Sequence, residues 1–396
     1  MLTAMALVLV AASASGLSPG HVFMSTATGT GNLGTWAGAG GQSGLAAADT
    51  ICRTEATAAN VPNPETYIAA MSDSQNDFYC RLHGLAGKVS ANCGQAALPA
   101  FAGPWLRRDG QVFATLGTLI NDNAAITPAS FHANATGALG AVAFNGTQLQ
   151  MAVDTSSGTC ADWTSNAAQS VVGTTAGTGI GFLMHASVAC SQTRHIQCIS
   201  AGLHSAFVVA RASGREAFVT QTQGNGNLST WAGAGGATGV AAGDAICQAE
   251  AAASGLVAPG SFKAWLSDSS ASLNAIDRFQ NDGPWVRTDG VPIAPSKAAL
   301  QNPNTMTSPP VTLASGVFPS PVGSSWTGSN SAGNAAGGHC SGWTSTTGSV
   351  TYGYNGDLRF WTDISPNGSC SSTLGRLYCF SDLDRIFASS VEAIPY

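Results

Sequence analysis

The sequence predicts an α+β fold that occurs in two tandem copies, and three observations carry this prediction. First, the segment 29–52 (GTGNLGTWAGAGGQSGLAAADTIC) returns at 224–247 as GNGNLSTWAGAGGATGVAAGDAIC. Second, each copy has an early Ala-rich helical pattern followed by short strand patterns and long polar loops. Third, the ten cysteines are even in number and lack CxxC metal spacing, as expected for a disulfide framework.

The secondary structure of each copy follows from its local pattern. Short apolar runs that end at Gly or Asn predict an opening strand, and Ala-rich segments after the Gly-rich loops predict a helix that carries the first cysteine. An alternating run around the last cysteine predicts a closing strand. The predicted elements are opening strands 22–24 and 217–219, helices 45–59 and 240–253, and closing strands 195–198 and 376–379.

The spacing of the repeat identifies an insertion in the first copy. Cys52 corresponds to Cys247 at a shift of 195 residues, whereas Cys160 corresponds to Cys340 at a shift of 180. The first copy therefore contains 15 additional residues between these landmarks. Cys80 and Cys93 lie within that stretch and have no counterparts in the second copy, so we expect them to pair with each other.

Composition and the repeat together predict the domain boundaries. An apolar run followed by small residues at the N-terminus is typical of a signal peptide, and it is too short to span a bilayer. Further along the chain, the repeat supplies the limits of the two domains. The predicted segments are a signal-peptide-like segment 1–16, domain 1 at 20–200, a linker 201–212, domain 2 at 213–383 and a C-terminal tail 384–396.

The charge content limits the classes of partner. Charged residues make up 9% of the chain, the formal net charge is -6, and the three lysines are widely separated. Nucleic acids and heparin-type glycans are poor partners for such a chain, because their phosphates or sulfates require a basic surface. Together with the cysteine usage, this composition predicts a secreted or cell-surface protein.

Eight cysteines form two matching quartets, one in each copy. Spacing alone leaves three connectivities open for each quartet. The quartets are Cys52, Cys160, Cys190 and Cys198 in the first copy and Cys247, Cys340, Cys370 and Cys379 in the second.

Short motifs follow one another in a defined order in the second copy. They are GNL, DAIC (244–247), SFKAWLS (261–267), WTGS (326–329), the Cys340 segment and the last two cysteines. This order resembles the endostatin-like branch of the C-type-lectin-like fold, including bacterial endostatin-like surface and secreted domains. The resemblance covers nearly the whole repeat, and it implies a domain with an early helix, mixed short strands, long loops and nested disulfides. On this resemblance the disulfides are Cys52–Cys198, Cys160–Cys190, Cys247–Cys379 and Cys340–Cys370.

The chain departs from this family at its known ligand sites. The arginine clusters used for heparin and the N-terminal histidine group used for zinc are missing, and His21 stands alone. The EPN and WND motifs of calcium-dependent lectins are missing as well. We therefore expect no cofactor and no metal site, with a structural calcium among the Asp and Asn loops as the alternative.

Residues 29–34 match GxGxxG, the spacing of a dinucleotide-binding loop. The second copy breaks the pattern with Ser229, and no βαβ alternation follows. The pattern therefore indicates a turn. No GxSxG nucleophile elbow between a strand and a helix is predicted either, and the Asp pairs that recur between copies fit turns and loop bracing, so we expect no enzyme activity.

The predicted function is extracellular recognition or adhesion through loops on a rigid scaffold, because the fold class usually supplies a binding platform. Its partner would be an extracellular protein or glycan, or another copy of the chain. The ligand-contact candidates are Trp361, Arg359 and Asp363 in the loop between the last two cysteines. The alternatives are a structural subunit of an extracellular assembly or filament, and a glycan-binding lectin.

Overall fold

The computed structural model describes residues 17–153, 155–156, 158–320, 322–383 and 393–395. The predicted signal-peptide-like segment 1–16 lies outside these residues, as does most of the predicted tail. The chain divides into two compact units, and the boundary falls between Ala210 and Arg211. Each unit combines helices with an eight-stranded sheet, which confirms the α+β class and the duplicated architecture.

The sheet of unit 1 is mixed, with strand order β4-β3-β1-β8-β5-β6-β7 and with β2 also paired to β8. The opening strand β1 runs antiparallel to the closing strand β8 and parallel to β3. The strands are β1 Gly20–Met24, β2 Tyr67–Ala69, β3 Trp105–Leu106, β4 Val112–Ala114, β5 Val142–Phe144, β6 Gln169–Thr174, β7 Ala186–Ala189 and β8 His195–Ser200. The helices are α1 Gly44–Ala58, α2 Phe78–Leu82, α3 Leu116–Asn121 and α4 Cys160–Trp163, with 3-10 turns at Leu33–Thr35, Pro64–Thr66, Val89–Gly94, Leu149–Met151 and Ile180–Phe182.

Unit 2 repeats this sheet, with strand order β13-β12-β10-β17-β14-β15-β16 and with β11 paired to β17. Its strands are β10 Arg215–Val219, β11 Phe262–Ala264, β12 Trp285–Arg287, β13 Pro292–Ala294, β14 Ser324–Trp326, β15 Ser349–Tyr354, β16 Ser365–Ser369 and β17 Arg376–Ser381. Its helices are α5 Gly239–Ala253, α6 Lys297–Leu300 and α7 Cys340–Trp343, with 3-10 turns at Leu228–Thr230, Pro259–Ser261, Ser269–Ala271, Ile276–Arg278 and Pro303–Thr305.

The predicted linker 201–212 contains a further strand, β9 Val208–Ala210. This strand pairs antiparallel with β18 Ala393–Pro395, which belongs to the predicted C-terminal tail. Both strands are assigned to unit 1.

The long helix α1 forms because its sequence is rich in alanine, the best helix former. Its buried residues, Ala47, Ala48, Ile51, Cys52 and Ala56, recur at helical spacing and form one face. The helix ends where Asn60 adopts a left-handed conformation and the Val61 amide donates to the Ala56 carbonyl at 2.8 Å. In unit 2, α5 ends in the same way, with Gly255 and Leu256 in these roles.

All ten cysteines form disulfides, and the eight quartet cysteines pair as the family resemblance implies. Cys52 on α1 joins Cys198 on β8 across a sequence separation of 146 residues, which ties the helix to the middle of the sheet. In the chain-entropy account, closing a loop of this length stabilises the fold by about 5 kcal/mol. Cys80 and Cys93 join the short helix α2 to the following 3-10 turn and close the inserted stretch, as their lack of counterparts predicts.

The repeated glycines of the GxGxxG-like loop have a packing role. A side chain on Gly31 would overlap the sulfur of Cys160, and one on Gly29 would overlap the Trp36 indole. The Trp36 indole in turn donates to the carbonyl of Thr30 at 2.8 Å. The second copy places Gly224 and Gly226 against Trp231 and Cys340 in the same way. The glycines are therefore required because the backbone passes close to an indole and a disulfide. This packing explains the GxGxxG-like spacing without a dinucleotide.

We predict that Gly226→Ala lowers the free energy of unfolding by about 1 to 3 kcal/mol, because the new methyl group has no space beside Cys340. Gly260→Ala is the matched control, since open space surrounds Gly260. Its effect should stay within about 0.5 kcal/mol. Urea denaturation of the oxidised protein measures both changes, and equal effects of the two substitutions would contradict this account.

Candidate functional site

The structure corrects one ligand-contact candidate. Trp361 is only 2% exposed and packs against Trp265, at a centroid distance of 4.9 Å, and against Tyr378 at 5.5 Å. An indole enclosed by other aromatic rings has no face for a ligand, so Trp361 belongs to the core of unit 2. Its position in a long loop between cysteines suggested exposure, but sequence could not show that the loop folds back over the sheet.

Arg359 and Asp363 remain at the surface, but the structure does not pair them. The Arg359 guanidinium binds the Asp357 carboxylate, with Nη2 at 2.9 Å from Oδ2, and lies over the Phe360 ring at 4.8 Å. Asp363 is partly exposed, and burial raises the pKa of its carboxyl. The Arg359 side chain is thus held by its neighbours in a defined orientation.

Two half-buried tyrosines lie on β15, the strand that precedes this arginine in the chain. Tyr352 and Tyr354 are two residues apart in a strand, so their side chains lie on the same face of the sheet. The Tyr352 ring contacts Trp326 edge-on at 6.1 Å, and the Tyr354 amide donates to the carbonyl of Phe360 at 2.8 Å. We call Tyr352, Tyr354, Arg359 and Phe360 the tyrosine face.

The tyrosine face has no counterpart in unit 1. The pairing of β5 with β6 matches that of β14 with β15, which places Val172 and Thr174 at the positions of Tyr352 and Tyr354. Both unit 1 residues are buried. The two copies therefore share a framework but present different surfaces at this place.

The Asp residues that recur between the copies are engaged within the fold. Asp49 on α1 accepts a hydrogen bond from the Ala69 amide at 2.9 Å and pairs with Arg81, whose guanidinium also donates to the carbonyls of Ala69 and Met71. In unit 2, Asp244 pairs with Arg278 in the same way. A constant shift between the copies does not align Arg81 with Arg278, because both arginines lie where the copies differ in length.

The other recurring Asp pairs brace loops, as the sequence predicts. Asp73 accepts from the amides of Gln75 and Asn76, and Asp268 accepts from the amide of Ser270. Asp109 and Asp289 pair with the arginines two residues before them. These carboxylates hold structure together rather than facing one another across a cleft.

A second group of polar side chains lies at one end of the unit 1 sheet, and sequence reasoning missed it. Ser200 on β8 is opposite Tyr67 on β2, and its hydroxyl accepts a hydrogen bond from the His21 amide on β1 at 3.0 Å. The Ser200 hydroxyl also lies 3.0 Å from Nε2 of His204. Arg108 is the strongest charged neighbour of both His21 and Tyr67. We call these five residues the polar row.

Burial and charge shift the titration of the polar row. Burial, followed by the nearby charges of Arg108 and His204, lowers the pKa of His21 to about 4. Burial also lowers the pKa of His204 and raises that of Tyr67. Both histidines are therefore neutral near pH 7.

The described residues lack two further kinds of feature, a metal-ligand cluster and a membrane-spanning helix. Within them, no three His, Cys, Asp or Glu side chains are grouped to hold a metal ion. No helix in the same residues has the length and apolar character needed to cross a membrane. An open depression of about 190 Å³ in unit 1 is lined by Thr26, Glu55, Ala58, Ala59, Ala133 and Asn134, and its Glu55 carboxylate already accepts the amides of Thr26 and Ala27.

The chain matches no protein-family model and no curated protein.

We predict that stability falls as the pH decreases from about 6.5 towards 4. The folded pKa of His21 is lower than the value of 6.5 for a free histidine, so the unfolded chain binds the proton first. Neutral His21 makes its full contribution to the free energy of unfolding above about pH 6.5. This contribution, about 3 kcal/mol, is lost as the pH falls towards the folded pKa. His204 contributes in the same direction.

Urea denaturation between about pH 7.5 and 4 measures this loss, and His21→Gln isolates the part due to His21. The variant should lose less stability over this range than the natural chain. Parallel pH profiles for the two proteins would contradict the prediction.

Proposed function

We propose that the chain is a secreted, non-enzymatic recognition or adhesion protein whose two units are C-type-lectin-like domains of the endostatin type. The tyrosine face is the observation that carries the recognition role. It consists of three partly exposed aromatic residues and an oriented, partly exposed guanidinium, whereas the unit 1 residues equivalent to its two tyrosines are buried.

Several features support the proposed domain type. In each unit the first and last sheet strands are antiparallel neighbours, and one long helix precedes the second strand. The long-range disulfide encloses the short-range one in sequence, as in Cys52–Cys198 around Cys160–Cys190. Five disulfides also favour an oxidising compartment and thus an extracellular location.

The chemistry of the tyrosine face suits reversible binding. Tyrosine and arginine are enriched at binding hot spots, because a ring offers a large apolar area with a polar tip and a guanidinium offers directed donors. Arg359 is pre-oriented by Asp357 and Phe360, which reduces the entropy lost when a ligand binds. The recurring carboxylates are committed to ion pairs and backbone amides, which favours binding over acid-base catalysis.

The surface charge favours neutral partners. Charged residues are 9% of the chain, and arginines such as Arg81 and Arg287 are buried in ion pairs. Partners recognised through sulfate or phosphate groups would find few exposed cations. The proposed ligands are therefore neutral glycans or protein surfaces.

We predict that Tyr352→Val combined with Tyr354→Thr weakens ligand binding and leaves the fold intact. These substitutions install the residues that unit 1 carries at the same places, so the framework tolerates them. The probes are a panel of purified neutral glycans and a panel of purified extracellular matrix glycoproteins. The natural chain should bind at least one probe, and the double variant should bind it about tenfold or more weakly.

Leu374→Ser is the matched surface control, because Leu374 is 67% exposed and lies outside the tyrosine face. It should leave binding unchanged. Equal binding by the double variant, or no binding of any probe by the natural chain, would refute the proposal. Concentration-dependent self-association without ligand would favour the structural-subunit alternative instead.

A further inference from the structure

The strand at each end of a β-sheet presents backbone groups that can pair with another chain, and proteins usually cover or blunt such edges. In both units one end of the main sheet is covered by the chain itself. At β4 the carbonyl of Phe113 accepts the amide of Ile126 at 2.7 Å. At β13 the carbonyl of Ile293 accepts the amide of Thr307 at 2.8 Å. These two edges are therefore closed to another strand.

The other two ends, β7 and β16, occupy equivalent places in the two sheets but differ in sequence. β16 contains Pro366, which has no amide proton to donate, and its pairing with β15 shifts in register. β7, Ala186–Ala189, contains neither proline nor a charged residue. In the described part of the chain, β7 pairs with β6 alone. It is the one sheet end among the four that lacks an identifiable block.

The register of β7 shows which of its backbone groups face outward. The Cys190 amide donates to the carbonyl of Ala168 at 2.9 Å, and hydrogen-bonded positions recur at every second residue of an antiparallel pair. Val188 therefore faces β6, whereas the amide and carbonyl of Ser187 point away from it. In agreement, the carbonyl of Val171, opposite Ser187, accepts amides from the far side of β6. Ser187 is exposed, so its backbone groups are accessible at this edge.

The charge pattern favours a second copy of this chain as the partner. Residues 163–193, which contain β6 and β7, include no Asp, Glu, Lys or Arg. The equivalent stretch of unit 2 contains Asp357, Arg359 and Asp363. Two copies that each carry a formal net charge of -6 repel one another in general. Their close approach costs least where the chain has no charge.

An antiparallel pair also suits two identical strands, because a two-fold axis relates them. With Ser187 opposite Ser187 of the second copy, each amide donates to the other carbonyl, which gives two reciprocal hydrogen bonds. Ala186 of one strand then lies opposite Val188 of the other. These side chains are small and neutral, so the pairing brings no like charges together.

We propose that β7 is a self-association edge, through which two copies of the chain form a two-fold dimer that joins their unit 1 sheets. The pairing occupies the edge of both copies, so the association stops at two. A dimer presents two tyrosine faces, which strengthens binding to a ligand with repeated epitopes. The dimer itself needs no ligand and does not rest on the proposed recognition function.

Sedimentation velocity of the full oxidised chain, without ligand, measures the association. We expect a monomer–dimer equilibrium with a dissociation constant of about 10 to 100 µM, because a pair of short strands buries an area at the low end of specific interfaces. Hydrogen exchange measured by mass spectrometry at low and high protein concentration locates the contact. Added protection should appear in the peptide that contains β7 and not in the peptide that contains β16.

Two substitutions at one position test the edge. Ser187→Pro removes the outward amide and leaves the bonds to β6 in place. Ser187→Lys keeps that amide but places two positive charges on facing strands. Each should weaken the dimer by about tenfold or more. Ser187→Ala is the matched control, since it keeps the backbone groups and adds no charge, and it should dimerise as the natural chain does.

The outcomes also separate this proposal from the recognition role. A dimer that Ser187→Lys weakens and Ser187→Ala leaves unchanged supports the edge, even where Ser187→Pro fails to fold. A chain that stays monomeric over the whole concentration range, a dimer that Ser187→Lys leaves unchanged, or added protection only outside β7 would overturn it. Growth beyond the dimer would overturn it as well and would favour the structural-subunit alternative. Failure of the tyrosine-face variant to alter ligand binding leaves all of these results unaffected, because no ligand is present.

Discussion

The covalent bond between the long helix and the closing strand is the constraint on which each unit depends. An Ala-rich helix such as α1 buries little apolar area per residue, so packing alone holds it weakly against the sheet. Cys52–Cys198 fixes that contact, and Asp49 with Arg81 fastens the same helix to the backbone around β2. With the helix held in place, the short strands and long loops of the remaining chain have a common base to pack on.

The charged residues also form most of their contacts within the fold. Most of the arginines discussed above bind a carboxylate two residues away or on a neighbouring element, and the Gly-rich loops pass over indoles and disulfides without needing polar contacts. A chain with few charges thus uses many of them internally. Its surface is left with neutral loops and, in unit 2, with the partly exposed residues of the tyrosine face.

Comparison of the two copies separates the shared framework from the residues that vary on it. Four features recur in both copies, because each satisfies a requirement of the backbone. They are the helix ends, the disulfides, the glycine contacts and the Asp–Arg ion pairs. Residues at equivalent sheet positions can differ without a change in this framework, as Val172 differs from Tyr352 and Tyr67 from Phe262. Duplication therefore allows each unit to carry different side chains on one architecture.

The duplication, the α+β class, the long helices and the pairing of Cys80 with Cys93 could all be predicted from the amino-acid sequence, because repeats, helical periodicity and unmatched cysteines are local or countable properties. The first helix was expected at 45–59 and runs from Gly44 to Ala58. The burial of Trp361, the ion pair of Asp49 with Arg81 and the grouping of the polar row become visible only in the folded chain. Those features depend on which distant segments the fold brings together: Tyr67 and Ser200 lie far apart in the chain and are opposite each other because β2 pairs with β8.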